Sequence, residues 1–274
     1  MIVDAQVHLW KAEAPDRPWQ PGRVAQLPEP FLTEKLVPMM DEAGVDRAVI
    51  VPPSWEGDRN DYALEAVRRY PQRFAVMGRI ALADPHNARL LPDWKKQPGM
   101  VGVRLTFHPP EWKWLSDGTA DWFWPLAEKY GLPVMFYGAP MPSFAGVAER
   151  YPRLAMIADH LGVTGDVAKS GRLPEAIAET AALAKFPNVS VKLSTTPFYS
   201  AESYPFRDMT VHIRRLFDAF GPRRCYWGTD LTNSYKKATY KQRVAHFTET
   251  LDFLSKDDKE WVMGRAILER LGWK

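Results

Sequence analysis

The chain has 274 residues, 46% of them apolar, which is enough for one large core. Its 36 Lys and Arg against 33 Asp and Glu leave a formal charge of +3, and the basic residues are scattered, which argues against nucleic acid as a partner. No apolar run approaches the roughly 18 residues of a membrane-spanning helix. The start Met1-Ile2-Val3-Asp4 lacks a secretory signal pattern and the lone Cys225 cannot form an internal disulfide, so a soluble, cytoplasmic protein is expected.

Short apolar runs alternate with helical stretches, the pattern of βα units on a parallel sheet. The first predicted strand is Ile2 to Leu9. Residues 11 to 30 follow, with Pro15, Pro18, Pro21, Pro28 and Pro30; this stretch is too long for an ordinary connector and suits a lid over the strand ends. A strand over Arg47 to Pro53 precedes a helix over Asp61 to Tyr70, whose Tyr62, Ala63, Ala66, Val67 and Tyr70 share one stripe. Phe74 to Ala81 is the third strand; Asp84-Pro85 then starts a helical turn, proline fitting the first turn of a helix.

Val101 to Phe107, a helix over Asp121 to Tyr130, and strands over Leu132 to Tyr137 and Leu154 to Asp159 come next. Leu173-Pro174 opens another helix, followed by strands over Val189 to Ser194 and Cys225 to Asp230, and a last helix over Lys256 to Leu271. Gly44, Pro71, Gly131, Pro152, Pro187 and Gly221 each sit between a helix end and the next strand, where glycine or proline stops the helix. Eight strands with tight turns on one side and long ones on the other predict a single-domain (β/α)8 TIM barrel over residues 1–274, with its active site at the C-terminal strand ends.

Each strand end carries candidates. Gln6 and His8 share one face of the first strand by period-2 alternation. Arg79 ends the third strand, Arg104 and His108 lie on and after the fourth, Tyr137 ends the fifth, and Asp159-His160 the sixth. Lys192 and Ser194 lie on the seventh and Asp230 ends the eighth. A guanidinium matches a carboxylate bidentately, so Arg79, Arg104 and Lys192 suggest an anionic substrate; the competing reading makes the arginines core ion-pair partners of Asp4 or Asp159. Trp55, Trp112, Trp114 and Tyr199 follow strand ends and could stack on a ring, whereas Trp122 and Trp124 suit outer packing. His86, His212 and His246 read as surface or packing residues.

The segments DAQVHLW (4–10), DHLG (159–162), VSVKLS (189–194) and WGTDLT (227–232), in this order and spanning nearly the whole chain, resemble the amidohydrolase-related TIM-barrel hydrolases. That group includes sugar-acid lactonases, pyrone-dicarboxylate lactonase and decarboxylases of the aminocarboxymuconate-semialdehyde type. The resemblance implies a His-x-His pair on strand 1, a His on strand 5 and an Asp on strand 8 as ligands of a divalent metal, with a catalytic His on strand 6. Those positions here hold Gln6 and His8, Tyr137, Asp230 and His160, so two ligands are replaced. A neutral amide and a phenol with pKa near ~10 are poor substitutes for imidazole.

The expectation is therefore no cofactor, or at most one divalent metal such as Zn on His8, His160 and Asp230. The resemblance then implies a metal-free lactonase in which Asp230 is general base while His8 and His160 polarise the carbonyl, with Gln6, Arg79, Arg104, Tyr137 and Lys192 binding a small anionic, aromatic-derived or cyclic substrate. A metal-dependent decarboxylase and a non-catalytic small-molecule-binding barrel are the alternatives, and a homodimer is the expected assembly.

Overall fold

Eight apolar runs that can bury both faces become eight strands. The computed structural model describes residues 1–274 and places them at β1 (Val3–Val7), β2 (Arg47–Ile50), β3 (Phe74–Gly78), β4 (Met100–Thr106), β5 (Val134–Tyr137), β6 (Met156–Ala158), β7 (Val189–Ser194) and β8 (Cys225–Gly228). Each is parallel to its sequence neighbour in the order β1-β2-β3-β4-β5-β6-β7-β8. All eight expected strands are present, most of them shorter at their ends because the flanking residues turn into loops. β1, β3 and β7 are buried along their whole length, as strands covered by helices outside and side chains inside must be.

Alternation sorts the strands into two cores. Ala48, Ile50, Val76, Val103, Phe136 and Val191 face the outer helices, while Ala5, Val49, Met77, Met135, Ile157 and Tyr226 fill the barrel floor. The expected helix over 256–271 is interrupted by a wide π-type turn at Trp261–Arg265. Gly264 lies there against the start of the chain, where an added Cβ would stand 2.7 Å from the Met1 carbonyl oxygen. Trp261, Ile267 and Leu271 thereby plug the floor.

Strand β1 departs from strict alternation. Asp4 pairs with Ala48 and Val7 with Ile50, so β1 spends one residue more than β2 over the same rise, a bulge. Ala5 packs into the barrel floor and Val7 into the outer core, and the extra residue lets Gln6 and His8 turn inward while Asp4 leaves their face for the outer helix Tyr240–Ala245. A bulge beside a functional site characteristically re-aims side chains in this way.

The ring closes between β8 and β1 largely through that displaced carboxylate. Asp4 accepts from Thr229 N (2.8 Å), Thr229 Oγ1 (2.5 Å), Tyr240 Oη (2.7 Å) and Gln6 N (3.0 Å), and the Asp230 amide donates to the Gln6 carbonyl at 3.0 Å. Burial pushes its carboxyl pKa up, against the lowering effect of these four donors.

Residues 11 to 30 form a strap tied to the loops after β2 and β8. Trp10 bridges to Phe31 at the base, buried Arg17 pairs with Glu56 at 2.8 Å and with Asp61, Gln20 N donates to the Trp55 carbonyl, and Gln26 reaches Thr232 beyond β8.

Replacing Asp4 by Ala orphans several buried donors at once, so Asp4→Ala is expected to lower unfolding free energy in urea by about 3 kcal/mol. A loss below about 1 kcal/mol would show that packing alone closes the ring.

Candidate active site

Three adjacent strand ends finish in the left-handed region with a residue other than glycine: His160 (φ 52°) after β6, Thr195 (φ 67°) after β7 and Asp230 (φ 45°) after β8. That conformation costs such residues on the order of 1–2 kcal/mol, and such strain clusters at functional sites. Its effect is to fold the three side chains over the barrel axis, where they bond to one another. Thr195 Oγ1 lies 2.6 Å from His160 Nδ1 and donates to Asp230 Oδ2 at 3.3 Å. Ser194 Oγ is a second neighbour of His160 Nδ1, at 2.9 Å.

From β1, His8 Nε2 approaches Asp230 Oδ1 to 3.1 Å, and Gln6 Nε2 stands 3.1 Å from His160 Nε2 and 3.4 Å from His8 Nε2. His8, Gln6, His160 and Asp230 are thus brought together, each nearly buried, at the bottom of the mouth.

Proton positions follow from what each partner can do. Val51 O, 2.6 Å from His8 Nδ1, can only accept, so His8 carries a proton there. Thr195 spends its proton on Asp230, so His160 Nδ1 is the donor to Thr195. His160 Nε2 is then a lone pair, and Gln6 must present its NH2 to it.

Lys192 enforces that choice. Its ammonium, with no exposed surface, donates to Gln6 Oε1 at 2.6 Å and pairs with Asp159 Oδ1 at 2.7 Å, so the amide cannot turn its oxygen toward the histidines. Arg104 Nε takes the other Asp159 oxygen at 3.1 Å. Lys192, expected to bind substrate, instead binds inside the protein: every donor direction is enclosed by the barrel.

Titration reflects the same layout. Burial lowers the His160 pKa to about 4, against the raising effect of Asp230 and Asp159, so the ring is neutral at pH 7. Burial alone would raise the Asp230 pKa; His160, the His8 hydrogen bond and Arg104 outweigh it and hold the carboxylate well below its usual range. Tyr137, whose ring stands edge-on to His160 at 5.1 Å, is pushed by burial up to about 12 and stays a phenol.

Beside this cluster, over the ends of β2 to β4, a cavity of about 310 Å³ opens under the strap, lined among others by Arg23, Arg79, Arg104, His108 and Trp114. Arg104 belongs to both places, with Nε on Asp159 and Nη1 on Thr106 Oγ1 at 2.7 Å. For Arg104, therefore, the ion pair with Asp159 and the open site both hold. Arg79 has only the more distant Asp58, whose Oδ1 lies 3.9 Å from its Nε, and Asp4 meets neither arginine.

Of the aromatic candidates, Trp114 lines the cavity and Trp112 is exposed. Trp55 is buried against His8 and Trp10, and Tyr199 donates to the Val163 carbonyl. Trp124 packs in the outer core, as its helical setting implies. His86 is on the surface, while His246 is buried beside Phe206 and Phe247. Ser194, a candidate from the sequence, joins the cluster, whereas Thr195, Thr106 and Arg23 are site residues that the sequence did not single out; the first two were marked only by their places just after or within strands and Arg23 only by lying in the segment 11 to 30.

The residues present do not suit a tightly held divalent metal. His8 has the right tautomer for a ligand, with Nδ1–H fixed by a carbonyl and Nε2 facing Asp230. The third place, however, is filled by an amide whose nitrogen stands against both imidazole Nε2 atoms, with an ammonium fixed behind it. No group of three His, Cys, Asp or Glu side chains is arranged to hold an ion.

A barrel with a polar cluster at the ends of β1 and β5 to β8 defines a class, and comparison with known proteins gives it a family. The amidohydrolase family model matches residues 3–269, so the chain belongs to the amidohydrolase family and is an enzyme of the hydrolase type. An L-fucono-1,5-lactonase of Burkholderia ambifaria is 27% identical over 239 residues, covering 83% of this chain and 79% of that protein. A 4-sulfomuconolactone hydrolase of Hydrogenophaga intermedia is 30% identical over 208 residues, covering 73% of this chain and 65% of that protein. The fold matches the crystal structure of an amidohydrolase from Burkholderia multivorans with bound zinc, at a TM-score of 0.83 and 19% identity over 99% of each chain.

Removing Lys192 tests the polarity of the cluster. Lys192→Met leaves Asp159 with Arg104 alone and frees the Gln6 amide to turn, and is expected to lower stability by about 3–5 kcal/mol, read from urea unfolding. A neutral effect would show that Asp159 and Gln6 are satisfied without it.

Proposed function

We propose that the protein opens a lactone or similar cyclic ester carrying an acidic group, without a metal. The observation that carries this is an ionised, buried Asp230 held beside a neutral His160, His8 and an oriented amide donor, next to an arginine-lined cavity. Two relatives named as lactone hydrolases, found with different substrates in their names, support the reaction type.

Asp230 takes the proton of a water as the water's oxygen attacks the ester carbonyl carbon. The developing oxyanion accepts from the loosely held second N–H of Gln6 and from the Tyr137 hydroxyl, with Arg104 adding positive potential. Collapse breaks the ring C–O bond, and the departing alkoxide recovers the proton from Asp230, with His8 Nε2 at 3.1 Å as its carrier. The product is the open hydroxy acid. Because its Nε2 is an acceptor, His160 orients Asp230 through Thr195 instead of polarising the carbonyl, which revises the role the sequence suggested for it. Cys225, the single cysteine, is fully buried, which accords with a reducing, cytoplasmic setting; no helix is long and apolar enough to cross a membrane.

Asp230→Asn is expected to lower kcat on acid-substituted lactones by about 10³-fold or more while leaving fold and product affinity intact. Dialysis against a chelator should leave the wild-type rate unchanged. Dependence of the rate on restored zinc or manganese, or release of carbon dioxide from an aromatic acid, would replace the proposal with the decarboxylase alternative. No turnover of any lactone or acid would leave a binding barrel.

The pH profile is a separate check. With His160 neutral down to about 4, kcat/KM should stay level down to about pH 5 and fall below that as His160 takes a proton. An acid limb centred near 6.5 would place His160 in ordinary solvent. The same depression makes the fold less stable as pH falls from 6.5 toward about 4, since in that window the unfolded chain binds a proton that the native one excludes.

A further inference from the structure

Arg243, on the outer helix Tyr240–Ala245, is 3% exposed and takes no part in the chemistry at the barrel mouth. All its hydrogen bonds go to neutral oxygens. Nη1 donates to the Thr229 carbonyl at 3.3 Å and to Ser234 Oγ at 3.1 Å, and Nη2 to the Ser234 carbonyl at 2.7 Å. Nε has no partner. Burial lowers its pKa to about 10, against the raising effect of Asp230 and Asp4, so the guanidinium is charged at pH 7.

Those oxygens lie on either side of Asp230. Thr229 precedes it, and Ser234 ends the short helical turn Leu231–Ser234 that follows it, so one planar fork spans both ends of the loop. Thr229 is thereby held at every polar atom, with N and Oγ1 on Asp4 and its carbonyl on Arg243. Between the two ends, the Asp230 amide donates to the Gln6 carbonyl and its carbonyl accepts from Asn233 N, each at 3.0 Å.

A left-handed aspartate at φ 45° relaxes unless its surroundings over-determine it. Burying a cation without a counterion is itself costly, and an apolar side chain would fill the same volume without that cost. What the guanidinium adds is a set of charge-assisted bonds, stronger than neutral ones, across the loop that carries the strain. We propose that Arg243 is a positioning residue for the reaction: by clipping Thr229 to Ser234 it holds the turn that aims Asp230 at His8 Nε2 and at the attacking water. This rests on the lactonase reading for its kinetic consequence but not for the clip.

Steady-state hydrolysis of coumalate, a lactone bearing a carboxylate, and crystal structures of the variants test it. The Arg243→Gln side chain reaches only one end of the loop. Its kcat should fall about 100-fold, the effect of an ångström of misplacement, with KM within about threefold of wild type. In its crystal structure Asp230 should leave the left-handed region and part from His8 Nε2. Arg243→Lys keeps the charge but offers a point in place of a fork, so its kcat should stay at least about tenfold below wild type. Val244→Ala removes buried apolar volume from the same helix without touching the loop, and should lower stability in urea while leaving kcat unchanged.

Full activity in Arg243→Lys, a loss of kcat in Arg243→Gln with Asp230 unmoved, or an equal loss in Val244→Ala overturns the proposal. Should Arg243→Gln not fold, Arg243→Lys carries both readouts, and an unmoved Asp230 is again contrary. A displaced Asp230 with an undiminished rate would keep the clip and sink Asp230 as the base of the lactonase. An unmoved Asp230 in a protein that opens coumalate would do the reverse, and if coumalate is not opened the crystal structures alone decide the clip.

Discussion

One buried ammonium sets the direction of the polar contacts around it. Lys192 lies within the barrel, where a positive charge persists only with enclosed acceptors, and it has two: Asp159 and the Gln6 oxygen. Once Gln6 is pinned by its oxygen, its N–H groups must face the imidazoles. His160 then accepts at one nitrogen and donates at the other, and Thr195 passes that donation on to Asp230. A cation several atoms from the reacting centre thus determines which atoms there can take a proton and which can give one. It also accounts for the poor fit of a metal, since the ammonium and amide already supply positive potential where an ion would have to shed its water.

The barrel was legible in the sequence because the signals for it are local and repeated. Short apolar runs, most of them entered through a glycine or proline, need no tertiary information, and all eight became strands. Asp230, His160 and His8 were legible for a related reason, since a strand end in a parallel barrel has only one place to be. The bulge in β1 was not legible: nothing in Asp4-Ala5-Gln6 announces an extra residue, and simple alternation put Asp4 on the same face as Gln6 and His8. Lys192 and Arg79 show a second limit. Both are cations on strands, yet one is sealed by Asp159 and the other left open, and that difference depends on the neighbouring strands. Thr195 was missed because a threonine carries no chemical mark until a left-handed turn delivers it between an imidazole and a carboxylate.

The long connection after β1 gains meaning from its anchors. Arg17 ties it to the loop after β2 and Gln26 to the loop after β8, so the strap is fixed on both sides of the mouth while Arg23 hangs between. A segment held in this way brings a charge over a cavity without placing it on a regular element, and its many prolines reduce the number of backbone N–H groups that need partners.

The seam between the last strand and the first deserves a kinetic thought. Seven of the eight junctions in the ring are backbone ladders, whereas this one leans on the two Thr229 donors to the Asp4 carboxylate and a single backbone bond from Asp230 N to Gln6 O. Gln6 and His8 stand on one lip of that seam and Asp230 on the other. Breathing of the ring by an ångström or two at this point would part the base from its proton carrier while every helix stayed folded, so warming would silence the enzyme before it melted.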